Sequence, residues 1–204
     1  VISLIVVRHG ETDWNRIRRL QGHTDIALNA RGIEQAARLA AALAGESIAA
    51  VYSSDLGRAL STAMPVATAL GLEVRTDAGL RERNYGILEG KTFEEILEVH
   101  PDEAARVLSR DPAHRFPDGE SQEEFSARAL ATLERIARAE DPRVDAQQRT
   151  VLIVTHGGVL DMLYRSAFDI PLDAQRVCPT PNAAINRVVF EDGRFFVREW
   201  ATIP

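Results

Sequence analysis

Cysteine, positive charge and long apolar runs are all scarce in this chain of 204 residues. Its one cysteine, Cys178, excludes an internal disulfide framework, and a reducing compartment is the expected setting. Acidic residues outnumber basic ones, 30 to 24, for a formal net charge of −6. That balance argues against a general nucleic-acid binder, which needs a basic face, and mildly against a protein of anionic membrane surfaces. The apolar opening, Val1-Ile2-Ser3-Leu4-Ile5-Val6-Val7, is too short to span a bilayer and runs straight into charged residues. It does not read as a secretory leader either, so the cytoplasm is the expected location. No fixed-period repeat or low-complexity tract is found. The histidines lack a metal-ligand spacing such as His-Glu-x-x-His, so neither a metal nor another cofactor is expected. Cys178 has no arginine six residues on, where Ala184 stands, so a cysteine-phosphatase loop is excluded and a buried thiol is expected.

What is present is a globular composition, 45% hydrophobic and 26% charged. Four short β-branched runs read as buried strands: Ile2–Val7, Ile48–Tyr52, Leu72–Arg75 and Thr150–Thr155. Apolar stripes at helical spacing lie between and after them. One runs from Ile33 to Ala44, another from Leu56 to Leu70 with Pro65 expected to kink or split it, and a third from Phe125 to Ala137. A fourth helix is expected from Gly158 to Phe168. Ala184–Phe190 and Phe195–Trp200 flank the turn signal Glu191-Asp192-Gly193-Arg194 and read as a hairpin. The alternation predicts a three-layer α/β fold, a mainly parallel sheet flanked by helices with the hairpin at its edge. The whole of 1–204 reads as one domain. The stretch 91–121, with Pro101, Pro112 and Pro117, breaks the alternation and reads as a helical cap insertion over the active site.

Ligands of open α/β sheets sit beyond the carboxyl ends of the strands. Those ends deliver, in turn, Arg8-His9-Gly10-Glu11-Thr12, then Ser53-Ser54-Asp55-Leu56-Gly57-Arg58, then Leu80-Arg81-Glu82, then His156-Gly157-Gly158. Phosphoryl transfer needs an in-line nucleophile, cations around the equatorial oxygens and an acid for the leaving group. Imidazole is a competent nucleophile near neutral pH, arginine offers a planar fork to phosphate oxygens, and a carboxyl can donate and then accept a proton. All three parts occur at one rim.

The first block, with Trp14-Asn15 after it, resembles the signature of the histidine phosphatase (phosphoglycerate mutase-like) superfamily. The other blocks match in the same order, as do Gln21-Gly22 with Asp25 and Leu28, Gly86 with Glu89-Gly90, and Pro181-Asn182-Ala183. The resemblance implies a metal-independent phosphomonoesterase of the histidine acid type, in which His9 attacks phosphorus and becomes phosphohistidine. It implies that Glu82 is proton donor and then base, and that Arg8, Arg58, His156 and Asn15 bind the phosphoryl group. Gln21, Gly22, His23, Tyr85 and Gly157 are candidate substrate contacts. A backbone carbonyl is expected to fix the His9 tautomer, and Gly10 to allow close backbone approach behind it.

Two alternatives share the motifs: a cofactor-dependent phosphoglycerate mutase, and a non-catalytic phosphoester-binding regulator. Mutases of the family carry a longer insertion with an adjacent arginine pair, which Ala104–Arg110 lacks, although Lys91 keeps that reading open. A regulator should have lost a catalytic residue, and none is missing. Gly86–Thr92 approximates a P-loop but is one residue short. Phe93, His114, Arg115 and Phe116 are expected, with Tyr85, to line the pocket mouth, and Arg16, Arg18 and Arg19 to form a solvated loop, with a substrate-steering patch as the alternative. The expected partner is a small phosphate monoester, with a homodimer possible and no membrane.

Overall fold

A computed structural model describes residues 1–141 and 149–204. In chain order the elements begin with strand β1 (Ile2–Arg8), the single turn α1 (Asp13–Arg16), helix α2 (Ala30–Leu43), β2 (Ile48–Ser53) and α3 (Gly57–Leu70). A three-residue strand β3 (Val74–Thr76) leads through 3₁₀ turns at Ala78–Leu80 and Gly86–Leu88 to α4 (Phe93–Val99) and α5 (Pro101–Ser109). Then come α6 (Gln122–Glu140), β4 (Thr150–Thr155), α7 (Gly157–Phe168) and the hairpin β5 (Ile185–Glu191) and β6 (Arg194–Thr202).

The sheet order is β3-β2-β4-β1-β5-β6. The first four strands are parallel, and β5 joins β1 antiparallel, as does β6 to β5. Side-chain alternation sorts the core. Leu4 and Val6 of β1, with Val151 and Ile153 of β4, pack under α6 and α7 through Phe125, Leu133, Leu160 and Leu163. Ile5, Val7, Leu152 and Val154 point the other way, onto Leu39 and Leu43 of α2 and Ala63 and Val66 of α3. This period-two partition makes three layers, because each face of a central strand must bury an apolar row.

Helix α3 runs through Pro65 as one element, so the expected split does not occur. The proline removes one backbone donor, and the packing of Ala59, Ala63 and Val66 into the sheet holds the helix together around it. The 91–121 stretch is helical, as its pattern suggests. Thr92 and Glu95 form a reciprocal capping box on α4, and Pro101 opens α5 at a position that needs no N–H. Leu88, Ile96, Ala104 and Phe116 give this cap a small core of its own. Phe116 is therefore buried inside the cap, with Phe93 packed against that cluster and His114 edge-on to its ring. The sequence pattern placed Phe93, His114, Arg115 and Phe116 at the pocket mouth. The cap instead uses its aromatics to cohere, and Arg115 turns to Glu124 and the Gly119 carbonyl.

Candidate active site

Because β1, β2 and β4 are parallel, their carboxyl ends share one edge of the sheet. Arg8 pairs in register with Thr155, which sets His9 and His156 side by side just beyond the last ladder rung. Their ring centroids are 5.1 Å apart, edge to face, and both side chains are buried.

The two rings are wired differently. His9 Nδ1–H donates to the Gly10 carbonyl at 2.7 Å, the backbone restraint expected from the sequence. That fixes the tautomer and leaves the Nε2 lone pair as the reactive end. His156 is held at its other nitrogen. Ser54 Oγ accepts from Leu56 N at 3.3 Å and hydrogen-bonds His156 Nε2 at 2.9 Å, and the ring's Nδ1 is left without a partner. Thus one imidazole is fixed through Nδ1 and the other through Nε2. Burial first, and the neighbouring guanidiniums after it, hold both rings well below the ordinary histidine value of 6.5. Both are therefore neutral at neutral pH.

Arg8 and Arg58 supply charge. Arg58, the first full residue of α3 after Gly57, has no exposed surface. Its two terminal nitrogens donate to the carbonyls of Gly22 and Thr24, at 2.7 and 2.8 Å. Arg8 Nη1 donates to the Thr180 carbonyl at 2.7 Å. Burial lowers the pKa of both, with Glu82 pushing the other way. Neither makes an ion pair among the described residues. Buried side-chain nitrogens without a partner, among those residues, are Arg8 Nε, Arg58 Nε and His156 Nδ1. Unpartnered buried donors cost about 1–3 kcal/mol each, and Arg8 and Arg58 line one cavity, as they would in a site built for an anion.

Glu82 follows the turn after β3. Its carboxylate accepts from Gly158 N at the start of α7 and from Arg83 N, both at 2.9 Å. A side chain at 158 would fall 2.0 Å from Glu82 Oε1, so this close approach requires glycine. Gly10 meets the same demand behind His9, where a Cβ would lie 2.5 Å from the Gly32 carbonyl oxygen. The Glu82 backbone carbonyl takes donors from His23 Nε2 at 2.9 Å and Arg128 at 3.1 Å. Glu89 accepts from the backbone of His23, Thr24 and Tyr85 and from the Thr24 hydroxyl, and so fixes the loop whose carbonyls hold Arg58.

A cavity of about 180 Å³ joins these groups, lined by His9, Arg8, Arg58, Glu82, Asn15, Gln21, Gly22, Tyr85, Gly157 and Gly158, together with Arg19, Leu20 and Arg176. His156 does not line it but contacts the His9 ring. His23 does not line the cavity; its ring is spent on the Glu82 carbonyl. Asn15 Oδ1 accepts from Thr12 in the capping box, at 3.1 Å, leaving its amide nitrogen as the donor toward the cavity. Burial pushes the Tyr85 hydroxyl up, so it stays protonated.

Three contributors were not foreseen. Arg19 is no solvated loop residue, since Glu95 grips it at 2.7 and 2.9 Å. Arg176 reaches the cavity from the loop after α7. Asn182 Nδ2 donates to the His9 carbonyl at 2.8 Å across 173 residues of sequence. The Asn182 motif was visible, but its contact is too long-range for local pattern to reveal. Among the described residues no cluster of three His, Cys, Asp or Glu could hold a metal ion, and no helix is long and apolar enough to cross a membrane.

The model of histidine phosphatase superfamily branch 1 matches residues 4–203, and the chain belongs to that family. Phosphoglycerate mutase-like protein 4 of Arabidopsis thaliana is 36% identical, over 98% of this chain and 85% of its own length. Among solved structures, Bacillus stearothermophilus YhfR superposes with a TM-score of 0.90 at 33% identity, covering 100% of this chain and 98% of that one. A mycobacterial glucosyl-3-phosphoglycerate phosphatase in complex with VO3 gives 0.85 at 30% identity, covering 99% of this chain and 100% of that one. The chain is thus similar both to a mutase-like protein and to a phosphatase, which supports a phosphoryl-transfer enzyme.

Proposed function

We propose that the protein is a phosphomonoesterase that works through a phosphohistidine on His9 and needs no metal. The observation that carries this is the His9 ring: neutral, locked at Nδ1 by Gly10, and lining a cavity with two buried arginines that have no carboxylate partner among the described residues. In the first step Nε2 forms a bond to phosphorus as the ester P–O bond breaks, and Glu82 gives its proton to the leaving oxygen. In the second, Glu82 takes a proton from water as its oxygen attacks phosphorus. The N–P bond breaks, and inorganic phosphate leaves. Arg8, Arg58, His156 and the Asn15 amide stabilise the equatorial oxygens throughout, the largest lever in such transfers. Gln21, Gly22, Tyr85 and Gly157 shape the space for the rest of a small monoester. A cytoplasmic setting suits the single buried thiol.

The short cap favours hydrolysis over mutase chemistry, which must exclude water and hold a phosphoglycerate. The test is phosphate release from p-nitrophenyl phosphate in EDTA. Release that survives EDTA and falls at least about 10⁴-fold in His9→Ala supports the reading. Isomerisation of 3-phosphoglycerate primed by 2,3-bisphosphoglycerate, without phosphate release, would replace it by the mutase.

A further inference from the structure

Glu82 stands on a turn, and no strand ladder fixes its backbone. Arg128 of α6 grips that turn from outside the cavity. Its Nε and Nη2 donate to the two carboxylate oxygens of Glu120, each at 2.8 Å. Nη1 donates to the Gly79 and Arg81 carbonyls at 2.9 and 3.1 Å, and Nη2 also to the Glu82 carbonyl at 3.1 Å. A guanidinium has five N–H groups, and all of them are used. Three end on the backbone that leads into and carries Glu82, and none is left for a substrate.

Glu120 works on the other side of the turn. Its Oε2 accepts from Asn84 N at 2.8 Å, and its own N–H donates to the Asn84 carbonyl at 2.9 Å. Its carbonyl takes Arg83 Nε and Nη2 at 3.1 and 3.0 Å. One ion pair thus fixes the backbone before and after Glu82. Charge matters here as well as geometry. A lone guanidinium on the acid's own peptide would favour the ionised carboxyl, and the bidentate Glu120 offsets that charge. The Glu82 carboxyl is aimed only as well as its turn is held, and misplacing a reacting group by about 1 Å can cost about 10²-fold.

Resting on the phosphatase reading, we infer that Arg128 and Glu120 are a positioning pair for Glu82. They aim its proton at the leaving oxygen while the N–P bond forms and the ester P–O bond breaks. Neither side chain lines the cavity, so the pair serves proton donation and not the binding of the phosphoryl group.

The test compares phenyl phosphate with p-nitrophenyl phosphate. The two share a ring, but p-nitrophenolate leaves readily without a proton and phenolate does not. Their kcat/KM values report the steps up to phosphoryl transfer onto His9. Arg128→Met is expected to lower kcat/KM on phenyl phosphate about tenfold more than on p-nitrophenyl phosphate. Arg128→Lys regains part of that difference, and Glu120→Gln loses in the same sense. In Glu82→Gln the selective loss is already present, and adding Arg128→Met does not enlarge it. Equal losses on the two esters, or a selective loss that adds to that of Glu82→Gln, overturn the assignment. Should Arg128→Met not fold, the near-isosteric Glu120→Gln decides by the same comparison. Failure of the phosphatase reading shows separately, as p-nitrophenyl phosphate hydrolysis indifferent to His9→Ala, or as Glu82→Gln losing equally on both esters.

Discussion

The floor of the site and its rim are built on different principles. Floor residues stand where parallel strands end, and backbone groups fix them: Gly10 O holds His9, Gly22 O and Thr24 O hold Arg58, and Gly158 N holds Glu82. Rim residues come from loops and use side chains as well as backbone: Arg19 is held by Glu95 and the Gly90 carbonyl, Arg176 by Thr180, Asp161 and the Gly157 carbonyl. The cap above them coheres through its own small cluster around Leu88 and Phe116, separate from the two clusters of the sheet. A floor held by the backbone tolerates little change of residue type. A rim carried on loops and held partly by side chains can be rewritten one residue at a time, which is how a shared reaction acquires different substrates.

Three changes would break or sharpen that contrast. The largest effect is expected at the floor. Arg58→Met keeps the length and removes the charge, and kcat/KM on p-nitrophenyl phosphate should fall about 10³-fold, roughly 4 kcal/mol. The urea midpoint should move by less than that equivalent, since relief of a buried charge offsets the loss of its hydrogen bonds to the Gly22 and Thr24 carbonyls. A stability loss matching the catalytic one would make Arg58 chiefly structural.

Next is the cap. Phe116→Ala should cost about 3–5 kcal/mol, the usual range for a buried phenylalanine, and the loss should be local. Hydrogen exchange should accelerate across 91–121 while the central strands stay protected, with turnover of p-nitrophenyl phosphate reduced less than tenfold. Equal acceleration in β1 and β4 would show that floor and cap unfold as one unit.

The smallest effect is one of pH. Both histidines are held below 6.5 in the fold, by burial first and by arginines second. The unfolded chain therefore binds protons that the folded chain refuses as pH drops below that value. Stability should be intact above pH 6.5 and fall below it toward the folded-state values, by up to about 1.4 kcal/mol per pH unit for each ring. His156→Gln should show a shallower fall in urea midpoint between pH 7.5 and 5.5; an unchanged slope would remove His156 from the linkage.

The same contrast explains what could be read from sequence. His9, Arg58, Glu82 and His156 were legible because each follows a strand or turn signal, and a parallel sheet gathers such ends at one edge. The layers were legible because β1 and β4 alternate their apolar residues between two faces. Arg176 and Asn182 were not legible in their roles, since loop geometry and contacts across more than a hundred residues decide them. His23 was assigned to substrate and found on the Glu82 carbonyl, as a short loop cannot announce which way its ring turns. Phe116 looked like a mouth residue because nothing local shows that α4 and α5 need a core of their own. Pro65 failed to break α3 because tertiary packing outweighed one lost hydrogen bond.

The in-register pairing of Arg8 with Thr155 has one more consequence. Adjacent strands lie about 4.8 Å apart, and the two imidazoles, each one residue beyond that pair, are 5.1 Å apart. The sheet therefore sets how far apart the two backbones start, and the hydrogen bonds at Gly10 and Ser54 orient the rings from there. Slipping β1 by one residue would turn His9 to the opposite face, so the arrangement survives whole or is lost in a single step.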